Sequence, residues 1–131
     1  MERISDNENN LIAIVVDTNI SNDKKNFYTQ NENDIQFGVF NLPKDEIIEN
    51  HFHPEQKRII STTSEVLIIL EGSIEITLYD SKLQLLQKRK LNSGNVLITF
   101  TGGHGIKILK ETKLLEVKQG PYNPKTDKIR F

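Results

Sequence analysis

The chain has no cysteine in its 131 residues. That single absence excludes disulfides, thiolate metal ligands and cysteine nucleophiles. Histidine is scarce as well, with three in the chain. No apolar run approaches the roughly 20 residues that a membrane-spanning helix needs. The opening MERISDNENN is polar and has no apolar centre of the kind a secretion signal carries, so a cytoplasmic protein is expected. An excess of one charge is missing too, because 17 Lys and Arg stand against 18 Asp and Glu, for a net −1. Nothing in that balance attracts nucleic acid or an anionic membrane. No basic face with aromatics for base stacking can be traced either. Lys88-Arg89-Lys90 is the one short cationic run and reads as a solvated strand edge. Helical spacing of apolar residues is also absent over any three turns, and no internal repeat stands out.

What is present is a succession of short β-like runs. The length and the 36% hydrophobic content suit one domain with a single core. LIAIVVD (11–17) reads as a first strand, followed by a loose polar loop, SNDKKNFYTQNEND. As an exposed strand it could also add to the sheet edge of a second copy. Residues 1–33 are thus expected to form an amino-terminal strand and loop, and 34–131 the main β body with a carboxy-terminal tail, in one domain overall. From residue 34 the runs IQFGVFNL, EIIENHFH, KRIIST, EVLIIL, SIEITLYD, LQLLQKRKL, NVLITF, GIKILK and TKLLEVK are rich in Ile, Leu, Val, Thr and Phe. Gly, Asn, Asp and Ser bound most of them. In SIEITLYD, Ile74, Ile76 and Leu78 alternate with Glu75, Thr77 and Tyr79. DSK then supplies a turn and the returning strand runs to Leu91. Short strands in this number with turn residues between them predict an all-β antiparallel sandwich or barrel.

The histidines hold the candidate chemistry. His51 and His53 alternate, so on a strand both imidazoles share one face. His104 follows Gly102 and Gly103 and precedes Gly105, a run suited to a turn with open space beside the ring. Glu65 opens EVLIIL on the face of Leu67 and Ile69, where a carboxylate needs a partner. Imidazoles and a carboxylate with open positions suit one divalent transition metal, Fe(II), Mn, Ni, Zn or Cu. Each group also has an ordinary use: an HxH pair is common on strands, a histidine in a glycine turn can be structural, and Glu65 can answer Lys57 or Arg58. Glu116 in LLEVKQGPY shares a face with Leu114 and Lys118, opposite Leu115 and Val117. If Leu114 faces inward, Glu116 is a candidate general acid or base; if not, it is a solvated charge. Tyr122 and Lys118 are candidate substrate contacts, although GPYNP is first a turn. Asp127 and Lys128 read as a tail packed on the sheet or on a neighbouring subunit.

His51-x-His53, then Glu65, six further residues and Gly72, resembles the first motif of the cupin superfamily. Gly94 followed by His104 resembles the second. The tail LLEVKQGPYNPKTDK (114–128) is similar, more narrowly, to that of the WbuC-type cupin-fold metalloproteins, which accompany surface polysaccharide (O-antigen) biosynthesis. The likeness covers roughly residues 45 to 128. It implies a jelly-roll β-barrel with His51, His53, Glu65 and His104 as ligands of one divalent metal (Fe, Mn, Ni or Zn) in the barrel mouth. Two departures stand out. The stretch between His53 and Glu65 is longer than the usual motif, and TGG replaces the proline usual before the second-motif histidine.

Function does not follow from such a fold. One expectation is metal-dependent isomerisation or epimerisation of a sugar or nucleotide sugar, with Glu116 or Tyr122 moving the proton. An Fe(II)-dependent dioxygenase is a variant of it. The alternatives are a non-catalytic sugar- or small-ligand-binding or regulatory module, and a purely structural ion. The expected partners are a small-molecule ligand and, by family habit, a second copy in a homodimer, with no nucleic acid and no membrane.

Overall fold

Alternation of apolar residues decides where strands form and which sides they bury. LIAIVVD is apolar on both faces and becomes β2 (Leu11–Asp17), with Ile12, Ala13, Ile14 and Val16 buried. Ala13 packs in one apolar cluster and Ile14 and Val16 in another, so β2 divides two layers of core. The computed structural model describes residues 1–20 and 24–131. Its other strands are β1 (Glu2–Ser5), β3 (Lys25–Phe27), β4 (Gly38–Phe40), β5 (Glu65–Tyr79), β6 (Leu85–Asn92), β7 (Asn95–Thr99) and β8 (Gly103–Lys118). No helix occurs among the described residues. None is therefore long and apolar enough to cross a membrane.

Six strands form one antiparallel sheet in the order β1-β2-β7-β5-β6, with β8 along the other edge of β5. The sheet curls strongly into a half-barrel. Its concave side holds Ile69, Ile74, Ile76, Leu78, Leu91 and Leu97, all buried. The outer side is covered by the β3–β4 ribbon and its flanks, with Tyr28, Phe37 and Val39 packed on Val66 and Ile98. The curl brings strands from the two ends of the β1-to-β6 order together. Glu2 of β1 accepts hydrogen bonds from Nη2 of Arg89 of β6 at 2.5 Å and from its Nε at 3.1 and 3.2 Å. Glu8 and Lys82, in the turns beyond those strands, form a second ion pair at 2.5 Å.

The runs EVLIIL and SIEITLYD merge into the single 15-residue β5. Gly72 makes this possible. Its φ of +83° lies in the left-handed region, and a Cβ there would stand 2.0 Å from the Glu111 carbonyl oxygen. The buried side passes at this kink from Leu67 and Ile69 to Ile74, Ile76 and Leu78. A bulge shifts the buried register in this way while the strand continues. GIKILK and TKLLEVK merge likewise into the 16-residue β8, because β5 supplies a partner along its whole length.

Three expectations need correction. β2 lies between β1 and β7, so LIAIVVD is not an exposed strand available to a second copy. EIIENHFH and KRIIST form no strand: residues 41–64 are irregular and almost wholly exposed. Strand propensity is realised only against a partner ladder. Both edges of β5 are taken, and this segment does not pair with the open edge of β8. In IQFGVFNL only Gly38–Phe40 is strand. Part of the polar loop after β2, residues 21–23, lies outside the described residues.

Candidate functional site

Glu65 is the first residue of β5 and points to the concave side with Leu67 and Ile69, as alternation requires. It is 7% exposed, an unusual place for a carboxylate. Its partner is neither Lys57 nor Arg58 but His104, whose Nε2 lies 3.1 Å from Glu65 Oε2. His104 enters from the start of β8, where Gly102 turns the chain with φ +76°. A Cβ at Gly102 would stand 2.2 Å from the Tyr79 carbonyl oxygen. The hydrogen bond from His104 holds the Glu65 carboxyl below its usual range. Burial opposes it, and the charges of His104, Lys128 and Lys118 add to it.

The pair lies in the wall of a cavity of about 800 Å³ at one end of the half-barrel. Thr63, Thr99, Thr101 and Ser81 line it with hydroxyls, and Lys128 and Arg130 line it from the tail. The tail is fastened at two places. Lys118 forms an ion pair with Asp127, and this carboxylate raises the ammonium pKa against the effect of burial. Phe131 stands edge-on to Tyr79 with ring centroids 5.0 Å apart. The Phe131 ring also takes the space beside Gly103, where a Cβ would meet it at 2.7 Å. Of the space expected around the imidazole, only that beside Gly105 is open, with nothing within 4 Å. At the base of the tail the Ser64 amide donates to Gln119 Oε1 at 2.6 Å.

The other sequence candidates lie elsewhere. His51 and His53 are exposed in the irregular 41–64 segment, so the shared strand face expected for them does not exist. Their rings are nonetheless adjacent, with centroids 5.3 Å apart, and His51 Nδ1 lies 2.9 Å from the Glu49 carbonyl oxygen. Neither lines the cavity. Glu116 stands opposite Leu67 on β8, on the side where Leu114 packs against the core. That is the inward face, but β8 forms the sheet edge here and the carboxylate is exposed outside the cavity. Tyr122 is 61% exposed and also outside the cavity; its ring lies 5.0 Å from Lys118 Nζ. Among the described residues, no three His, Asp or Glu side chains gather as a metal-ligating group.

Sequence reasoning missed Thr99, Arg130 and Phe131. Thr99 had a signal: it falls on the side of Leu97 in NVLITF, and a hydroxyl there is 5% exposed on an apolar face. Of the tail residues Asp127 and Lys128, Asp127 is tied to the sheet through Lys118, and Lys128 is exposed at the cavity wall. Arg130 and Phe131 carried no local signal, because only the return of the tail brings them to His104. No family model, curated protein or solved structure matches the chain.

Proposed function

We propose that the chain is a jelly-roll protein of the cupin type whose cavity binds a small polar molecule, and that Glu65 and His104 move a proton on it. The substrate class carried from the cupin resemblance is a sugar or nucleotide sugar of surface polysaccharide biosynthesis, and the chemistry is isomerisation or epimerisation. One observation supports this above the rest: a buried carboxylate and a half-buried imidazole 3.1 Å apart in a hydroxyl-lined cavity.

Glu65 accepts the Nε2–H of His104 and leaves Nδ1 as the ring nitrogen that can take a proton. His104 then takes the proton from the carbon beside a carbonyl. The C–H electron pair moves to form an enediolate, and the neighbouring carboxylate stabilises the imidazolium. Passage of the hydroxyl proton from one enediolate oxygen to the other, with return of the carbon proton to the other carbon, completes an isomerisation, and return to the opposite face of the same carbon an epimerisation. The hydroxyls of Thr99 and Thr101 are among the donors in the cavity wall. Glu116 and Tyr122, outside this cavity, have no part in the proposal. The four expected metal ligands do not fit one ion as they stand, since His51 and His53 lie outside the cavity that Glu65 and His104 share. No step is therefore drawn through a metal.

The test is incorporation of solvent deuterium into a panel of aldoses, ketoses and nucleotide sugars, followed by NMR for the parent, Glu65→Gln and His104→Gln. Exchange in the parent, with at least a hundredfold loss in His104→Gln, is the expected result. Binding without exchange would replace catalysis by a binding or regulatory module.

A second reading has its own observation, the adjacent exposed rings of His51 and His53. In it the chain binds a divalent metal through these imidazoles. Metal content by mass spectrometry in the parent and in His51→Ala decides it: equal content in both sinks the reading.

A further inference from the structure

Four formal charges besides His104 line the cavity: Glu65, Asp127, Lys128 and Arg130. Both carboxylates are already engaged. Glu65 is held by His104, and Asp127 by Lys118, which stands outside the lining. The two cations are not engaged. Among the described residues, neither Lys128 nor Arg130 has an ion-pair or hydrogen-bond partner. They stand one residue apart on a segment fastened on one side by Asp127 and on the other by Phe131. The remaining polar wall is made of hydroxyls, which solvate an anion as readily as a neutral polyol. Lys128 acts on Glu65 only at a distance, so two held cations without a direct carboxylate partner leave the tail side of the cavity open to a negative group.

We propose that the cavity takes an anionic small molecule, phosphorylated or carboxylated, whose charged group is bound by Lys128 and Arg130 while its uncharged part reaches the Glu65–His104 pair. This rests on the cavity being the ligand site and narrows the ligand to an acid. The tail is then a part of the binding surface as well as a cover. Lys128 also acts on Glu65 from a distance, lowering its pKa through its charge, so the anion end and the proton-transfer end of the site are within electrostatic reach of one another.

The experiment is calorimetric titration of the parent and of the double variant Lys128→Gln/Arg130→Gln with glucose 6-phosphate, glucuronate, glucose and inorganic phosphate. Both residues are exposed, so the variant is expected to fold, and its melting temperature is compared with that of the parent. The parent should bind at least one acid at least tenfold more tightly than glucose. Affinity for that acid should fall about tenfold for each charge removed and should weaken as salt is raised. A preference for the phosphate or for the carboxylate identifies the kind of acid. Glucose binding as tightly as both acids, or an acid affinity unchanged in the double variant, overturns the inference and leaves the cavity as a neutral-sugar site. Failure of all four probes to bind the parent overturns the inference and the cavity reading together.

Discussion

Glu65 and His104 touch although the ladder between β5 and β8 puts them at opposite ends. Glu65 pairs across it with Lys118, and His104 with Leu78. In a flat sheet rising about 3.3 Å per residue, that offset would hold them roughly 40 Å apart. They are 3.1 Å apart because the sheet curls on itself. The site is thus a product of curvature, and whatever relaxes the curl separates its two halves.

Replacing Glu65 by Ala leaves the His104 Nε2–H without its acceptor in a half-buried place. Loss of a hydrogen bond of this kind costs about 1–3 kcal/mol. Urea unfolding of Glu65→Ala should show that loss at pH 7, and Glu65→Gln should recover part of it by keeping an acceptor. Equal stability of all three proteins would mean that the contact contributes nothing to the fold.

The depressed pKa of Glu65 also fixes a direction with pH. The carboxyl is more acidic folded than unfolded, so the unfolded state binds the proton more readily. Its contribution is complete above the ordinary value of 4.5. It is lost as the pH falls from there through the lower folded value. Melting temperatures between pH 7 and pH 2.5 should therefore drop more steeply in the parent than in Glu65→Gln. Parallel curves below pH 4.5 would contradict the assignment.

Two glycines should respond in opposite ways to alanine. Gly72→Ala forces a side chain into the left-handed region and against the Glu111 carbonyl oxygen. The strain should cost about 1–3 kcal/mol or more. Gly105→Ala meets nothing within 4 Å and should stay within about 0.5 kcal/mol of the parent. Chemical denaturation of the two variants together tests the kink in β5 against an internal control.

The tail should come loose without unfolding the sheet. Asp127→Asn removes the partner of Lys118, and Phe131→Ala removes the ring packed on Tyr79. In each, amide hydrogen exchange should speed up over residues 120–131 while β5 and β7 keep their protection. The Lys118 pKa is raised in the fold, so the pair contributes fully below the ordinary 10.5 and is lost as the pH climbs through the higher folded value. Exchange of the tail in the parent should accelerate there relative to the sheet. Uniform loss of protection throughout the chain would show that the tail is integral to the core.

Much of the sheet was legible in the residues themselves. Ile74, Ile76 and Leu78 announce a buried face by alternation alone, and LIAIVVD announces a strand buried on both sides. Glu65 was legible as a carboxylate on an apolar face that needed a partner. No local pattern joins it to a histidine 39 positions later in the chain, and only the cupin resemblance, through a shared metal, set His104 near it. EIIENHFH and KRIIST misled for the opposite reason. Their Ile and Phe content reads as strand, but β propensity expresses packing against neighbours, and Ile47, Phe52 and Ile59 have none to pack on.

The sequence by itself determined an all-β antiparallel chain, because periodicity, turn residues and side-chain shape are local properties. It also set the stock of chemistry, three imidazoles and no thiol. Tertiary structure decided which groups meet. Curvature of β5 against β8 set His104 on Glu65, and the return of the tail brought Lys128 and Arg130 to the same cavity. Glu116 was left outside on an edge strand, and His51 and His53 in an unpaired segment. Such choices depend on strand pairing and curl, which are sums over the whole sheet and are written in no single stretch of residues.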